Sequence, residues 1–324
     1  MASQQLWMTT TLGGYLTNPR LSHKIWDASQ PLMRFTQFCN IKEDTLNAGS
    51  KGGIVLFDKI GDIPGTHGTL VETTTMPRAT FVLGQGTATI AEYGLAIPYT
   101  GKIEKISEFN IDNMIHKRLR NHQAQTLDRA CAAAFKDTLA KYTCTTTNSF
   151  ILGTAGTTTD TAASNLNSYH VKNICDQLTI WNVPPFDNEG NYVCVASVKA
   201  LRGLTDDTAW IDVYKYTKPG QRLTNEAGKI YNCRFVKENH ILSNSFNTSY
   251  GEFVVFGDDA VMEIPVMAPL ITYEVKDHGR DKSIAWRALT TFKSIWCDTG
   301  GKTGDSVDIN KGWTPHIIHG TSAA

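Results

Sequence analysis

The sequence predicts an α+β protein in which one long helix carries a β-rich flank and a compact mixed insert. Three observations lead there. No Gly or Pro interrupts SEFNIDNMIHKRLRNHQAQTLDRACAAAFKDTLAKY, residues 107–142, so one uninterrupted helix is the simplest conformation for that stretch. The segment TATIAEYGLAIPYT, 87–100, places Thr89, Ala91, Tyr93, Leu95, Ile97 and Tyr99 on one face and Ala88, Glu92 and Gly94 on the other, the period-two pattern of a half-exposed strand. From Asn167 onward, helix and strand signals follow one another at close spacing.

The helix is the element on which the rest is hung. Ile111, Met114, Ile115, Leu119, His122, Thr126, Cys131, Ala134, Phe135 and Leu139 recur mostly at three- and four-residue steps, leaving Lys117, Arg120, Asp128 and Lys136 for other faces. Ile115, Leu119, Leu127 and Phe135 are the expected packing residues of this spine. At 1.5 Å per residue it would be roughly 50 Å long, more than one small domain needs.

Before it, residues 1–53 read as an N-terminal arm. Residues 1–20 hold few apolar anchors, and Leu21 to Phe38 suggest a short helix interrupted at Pro31. Asn47 to Gly53 is a flexible joint. Residues 54–100 read as a long antiparallel excursion, IVLFDKI running out and 87–100 returning, with a tip near Ile63 to Gly68. An isolated two-stranded arm with few core residues is marginal in water, so it needs a partner surface, another chain being the simplest. Ile63, Pro64, His67, Leu70, Met76, Phe81 and Tyr93, with Trp26 and Phe35 from the arm, are the candidate intersubunit contacts.

After the spine, 143–167 is a polar Thr-rich connection with one short strand at Phe150 to Leu152. Val171, Ile174, Leu178 and Trp181 lie on one helical face, capped by Asn165 or Asn167 and stopped by Pro184-Pro185. Tyr192 to Ala196 is a buried strand, Val198 to Leu204 and Asp206 to Tyr216 are helical, and Ile230 to Lys237 and Glu252 to Phe256 add strands. Residues 168–264 therefore form an inserted α+β domain. In the tail, 265–324, Trp286, Ala288, Thr290, Phe292, Ser294 and Trp296 alternate as a strand, although Trp286, Leu289, Phe292 and Ile295 also fit a helical face; the strand reading is preferred, returning beside the spine.

Composition narrows the function. Lys plus Arg and Asp plus Glu number 31 each in 324 residues, which removes the electrostatic footprint of a high-affinity nucleic-acid binder. Seven scattered cysteines include no CxxC pair and read as reduced structural thiols. Neither a secretory signal nor a membrane span is supported.

The order and spacing of several short motifs resemble the major capsid proteins of tailed double-stranded DNA bacteriophages, in particular a podovirus-type branch. They are Glu92-Tyr93-Gly94, Leu127-Asp128-Arg129 followed by Ala132 and Ala133, Tyr192 to Ala196 followed by Leu201-Arg202, and Phe256-Gly257-Asp258-Asp259-Ala260. The resemblance implies that the excursion reaches over a neighbouring subunit, that spine and tail strands form a peripheral domain (101–167 and 265–324), and that 168–264 is the axial domain. It further implies hexamers and pentamers of an icosahedral shell assembled in the host cytoplasm. Its implied partners are a portal, a scaffolding protein, a possible cement protein and packaged DNA held without strong sequence-specific binding. No scaffold fused ahead of the excursion is expected.

Signals for chemistry fail individually. Gly300-Gly301-Lys302-Thr303 lacks the earlier Gly of a phosphate loop, Trp296 standing in its place. His316 and His319 could share a helix face, but a surface role outweighs a metal site there. Asp258-Asp259 fits a turn or helix start better than acid-base chemistry. Asn247-Thr248-Ser249 reads as a polar loop, and the tryptophans at 7, 26, 181, 210, 286, 296 and 313 read as core or interface anchors. No catalytic, cofactor or metal site is expected. The alternatives of a small α/β hydrolase or transferase seated on 168–264, and of a non-viral encapsulating shell, remain open on sequence.

Overall fold

The computed structural model describes residues 33–41, 53–61, 83–153, 162–216, 226–240, 250–296 and 314–323, and between these 63, 68–70, 72, 75–76, 78 and 81. The elements in chain order are β1 (Asn40–Ile41), β2 (Ile54–Ile60), β3 (Leu83–Thr89), β4 (Ala91–Thr100), α1 (Gly101–Ile106), α2 (Ile111–Lys136), β5 (Lys141–Thr146) and β6 (Ser149–Gly153). There follow α3 (Ser168–Ile180), β7 (Tyr192–Ser197), α4 (Val198–Thr205), α5 (Thr208–Tyr216), β8 (Glu226–Ile230), β9 (Cys233–Glu238), β10 (Tyr250–Phe256), β11 (Val261–Lys276), β12 (Asp281–Ser294) and β13 (Ile317–Ala323).

The spine is α2, and it is shorter than the sequence suggests. Its 26 residues span about 39 Å. Ser107 breaks the expected helix upstream: its hydroxyl accepts from the Phe109 amide at 3.1 Å and donates to the Phe109 carbonyl at 3.0 Å. Asn110 then caps α2 by accepting from the Asn113 amide at 3.0 Å. Downstream, Ala140 just ahead of β5 and Tyr142 and Cys144 within it are buried, and the Thr138 hydroxyl donates to the Ile317 carbonyl at 2.8 Å. Tertiary burial overrides the helix propensity of the last turn.

Two sheets meet on α2. The four-stranded sheet has the order β1-β11-β12-β4, and the seven-stranded sheet the order β6-β5-β13-β10-β7-β9-β8. Ile111, Ile115 and Leu119 from the first half of α2 pack on Tyr99, Ile284, Trp286 and Ala288 of the first sheet. Cys131, Ala132, Ala134 and Phe135 from its second half pack on Val193, Val195, Val236, Val254, Phe256 and Ile317 of the other. On the far face of the seven-stranded sheet, α3, α4 and α5 cover Tyr142, Cys194, Phe235, Phe253, Val255 and Ile318. Burying both faces explains why β7 reads as an unbroken apolar run rather than an alternating one.

Asn167, of the two candidates, caps α3 by accepting from the His170 amide at 3.1 Å. The expected strand 230–237 is two, β8 and β9, separated by Tyr231 at φ 50°. The expected polar connection after the spine is a hairpin, β5 against β6. In the tail, β12 lies beside α2 as the alternation predicts, with Trp286 buried against it, whereas β13 pairs antiparallel with β10 and parallel with β5 in the other sheet. Asp258-Asp259 forms the turn between β10 and β11, with Asp259 at φ 51°. The preceding Gly257 is required there, because a Cβ would sit 2.3 Å from the Pro184 carbonyl oxygen.

The excursion is divided in two. β2 pairs with β3, from Ile54↔Thr89 to Ile60↔Leu83, and not with the 91–100 strand. That strand, β4, pairs along its length with β12, so its Tyr93, Ile97 and Tyr99 face α2.

Candidate functional site on the hairpin and spine

The β2–β3 hairpin presents two apolar faces. Val55 and Phe57 on the inner face are buried with Ala88 against Met262 and Ile264 of β11, on the sheet face opposite α2. Phe57 lies over Gly86, its cross-strand partner, where an added Cβ would meet the ring at 2.2 Å. Close backbone approach of this kind fixes the register of the pair. Ile54, Leu56, Ile60 and Leu83 on the outer face are exposed by 57, 53, 66 and 64 %.

Toward the tip, Ile63, Leu70, Met76 and Phe81 are also exposed. Of the other expected intersubunit contacts, Trp26, Pro64 and His67 lie outside the described residues, as do the segments 300–303 and 247–249. Phe35 and Tyr93 are placed differently. Phe35 is fully buried within its own chain, its ring 5.5 Å from that of Phe135, and Tyr93 packs in the cluster under α2. Sequence reasoning missed the outer row of β2 because IVLFDKI was read as one arm of a hairpin. Its signal was present: a strand apolar on both faces calls for two covers.

Asp128 changes the reading of the spine. It does not sit on a solvated face; it is buried, and its Oδ1 accepts from the amides of Phe35 at 2.9 Å and Thr36 at 3.2 Å, its Oδ2 from that of Arg34 at 3.2 Å. Burial pushes its pKa up, opposed by those backbone hydrogen bonds. The carboxylate thus pins segment 33–41 to the spine, and the Cys39 and Cys131 thiols come within 2.7 Å beside it. Of the other spine residues expected to pack, Ile115, Leu119 and Phe135 are buried and Leu127 is half-buried in the cluster around Phe35.

His316 and His319 are neither on a helix nor on the surface. His319, in β13, is buried beside Lys141, with Nζ and Nδ1 3.2 Å apart, and burial with the positive charges of Lys141 and Lys136 pulls its pKa down to about 3. His316 donates from Nδ1 to the Asp258 carbonyl at 2.7 Å and stacks on Trp296. Among the described residues, no cluster of three or more His, Cys, Asp or Glu is placed to hold a metal, and no helix is long and apolar enough to cross a membrane.

Neither a family model nor a curated relative matches the sequence. Solved structures do match, over nearly the whole chain. The capsid of Helicobacter pylori bacteriophage KHP30 is similar with a TM-score of 0.70 at 11% identity, covering 95% of this chain and 96% of that one. The capsid of Cyanophage P-SCSP1u gives 0.64 at 12%, covering 94% and 92%. That of Ralstonia phage GP4 gives 0.63 at 14%, covering 95% and 96%. The chain has the phage capsid fold.

Proposed function

We propose that this chain is the major capsid protein of a tailed double-stranded DNA bacteriophage, a structural protein whose copies assemble into the icosahedral shell around the packaged genome. The fold shared end to end with phage capsid chains supports a shell role. The observation that carries it is the hairpin, anchored by Val55 and Phe57 on its own sheet and open along Ile54, Leu56, Ile60 and Leu83. Covering a large aliphatic side chain fully is worth about 1.5–3 kcal/mol, so four that are already half covered supply about 3–6 kcal/mol per hairpin. That is a substantial share of a weak, repeated contact, the kind from which closed symmetric assemblies are built.

In this reading the outer row and the exposed Ile63, Leu70, Met76 and Phe81, together with Pro64, His67 and Trp26, contact neighbouring subunits. The four-stranded sheet with α2 and the hairpin base forms the peripheral domain. The seven-stranded sheet with α3 to α5 forms the axial one and recruits 141–153 and 317–323 from outside 168–264. Hexamers and pentamers are the capsomers, with portal, scaffolding and possible cement proteins as partners during assembly in the host cytoplasm.

The test pairs an outer-face variant, Leu56→Asp with Ile60→Asp, with replacement of residues 61–82 by a short Gly/Ser turn. Electron microscopy of the expressed wild-type chain should show closed shells, and both variants should remain folded by circular dichroism but yield no shells. Normal particles from both would remove the proposed role of the hairpin.

A further inference from the structure

Two thiols from distant parts of the chain meet where the N-terminal segment crosses the spine. Cys39 Sγ lies 2.7 Å from Cys131 Sγ, 92 positions away in sequence. We propose that this pair is a site of thiol–disulfide exchange, at which a small-molecule disulfide oxidises the two cysteines to a cystine that locks the N-terminal segment onto α2. The chemistry belongs to the chain itself, and its timing rests on the shell reading above.

Both sulfurs are held in place by their surroundings. Cys131 sits within α2 one turn beyond Asp128, whose carboxylate grips the amides of Arg34, Phe35 and Thr36. On the other side of Cys39, Asn40 and Ile41 pair with Met262 and Glu263 of β11, and the Asn40 side-chain amide donates to Asp259 at 2.6 Å. A disulfide places its sulfurs about 2.05 Å apart, so closure brings these two about 0.7 Å nearer. The pair also differs in access. Among the described residues Cys39 is the one cysteine that is not buried, whereas Cys175 and Cys233, whose thiols are hydrogen-bonded, are both shut off from solvent. Burial holds the Cys131 pKa well above its ordinary value, so Cys39 is the sulfur that reacts first.

Exchange proceeds in two steps. Cys39 loses its proton to water, and its thiolate attacks one sulfur of the oxidant, breaking the S–S bond there and expelling a thiolate that is protonated by solvent. Cys131 then gives up its proton and attacks Cys39 Sγ, forming the Cys39–Cys131 bond as the second thiolate leaves and is protonated in turn. Two cysteine thiols become one cystine, and the oxidant is reduced to two thiols. With Cys131 already beside Cys39, the second step is effectively unimolecular, so the mixed disulfide does not accumulate. A cytosol keeps thiols reduced and the exterior of a cell favours disulfides; a shell built inside a host would therefore close the bond after release. The covalent ring from 39 to 131 takes in the β2–β3 hairpin, β4 and α1, so the part of the chain given above to a neighbouring subunit is tied off at its root.

The test uses the full-length chain, purified reduced and unassembled, and incubated with oxidised glutathione at about pH 8, near the ordinary thiol pKa. Peptide mapping without reduction should find Cys39 and Cys131 in one cross-linked pair of peptides, with little chain carrying glutathione, and dithiothreitol should restore both thiols. Closing so long a loop should raise the midpoint of thermal unfolding by about 5–10 °C. Cys39→Ser should abolish both the cross-link and the shift, and Cys131→Ala should instead accumulate glutathione on Cys39, the adduct that the wild type resolves. A wild-type chain that forms no Cys39–Cys131 cross-link, whether or not it carries glutathione, overturns the inference, as does a cross-linked chain that melts at or below the reduced one. Electron microscopy separates this from the shell reading: closure of the bond by a wild-type chain that forms no shells supports the site and sinks the shell, whereas shells from a chain that never closes it sink this inference alone.

Discussion

Replacing Asp128 tests how the N-terminal segment is held on the spine. In Asp128→Ala three backbone donors lose their acceptor. The Phe35 amide is buried, and a buried unsatisfied donor costs about 1–3 kcal/mol; the Arg34 and Thr36 amides, at the edge, can turn to water. The wedge these bonds hold in place is apolar, with Phe35 against Phe135 and Phe38 against Phe256 at 5.2 Å. Loosening it adds about 1 kcal/mol of lost burial, for a total of about 2–4 kcal/mol. Asp128→Asn keeps one carbonyl oxygen for the Phe35 amide. It also removes a charge whose burial raises the pKa. A raised carboxyl pKa means that the folded state binds the proton more tightly, so the ionised form at neutral pH is a net cost that the amide avoids. The Asn variant should therefore lose only about 1 kcal/mol. Urea denaturation gives both values, and hydrogen exchange at the Phe35 amide reports the release directly. Equal losses for the two variants, or a loss below about 0.5 kcal/mol for the Ala variant, would refute the anchoring role.

Two further outcomes follow from the same packing. Leu119→Ala, at a fully buried position between Trp286 and Ile115, should cost about 2–5 kcal/mol in a denaturant titration. Lys117→Ala, at an exposed position, should stay within about 0.5 kcal/mol, and similar small effects at both sites would contradict the assigned face. The unassembled chain should lose stability in acid. His319 is held down to about 3 by burial and by Lys141, and burial also lowers His170 and His316. A lowered folded pKa confers stability above the unfolded value near 6.5 that is lost as pH falls below it, so His319 alone forfeits about 2 kcal/mol by pH 5. Thermal melts at pH 7.5 and 5 check this; His319→Gln, which keeps an acceptor for Lys141, should flatten the dependence, and an unchanged slope would show that His319 is not its source.

The sequence by itself determined the α+β class, the existence of the spine and the Tyr192 to Ala196 strand, and it narrowed the α3 cap to Asn165 or Asn167 and favoured strand over helix for the 286–296 alternation, because each rests on local chemistry. A cap needs a side-chain oxygen three residues from an open amide; a doubly covered strand needs an apolar run; a half-covered one needs alternation. The order of short motifs also pointed to the phage capsid fold. Tertiary structure alone decided where the spine ends, since KYTCTT is compatible with a helix until a sheet offers Tyr142 and Cys144 a buried face. It decided that β3 and not β4 closes the hairpin, because both strands alternate and only the register of Phe57 on Gly86, against that of Trp286 beside Leu95, tells them apart. It turned Asp128, His316 and His319 inward. On sequence an acid flanked by Leu and Arg belongs to a solvated helix face; what buries it is a backbone segment more than ninety residues away, which supplies three amide donors that no periodicity can foretell.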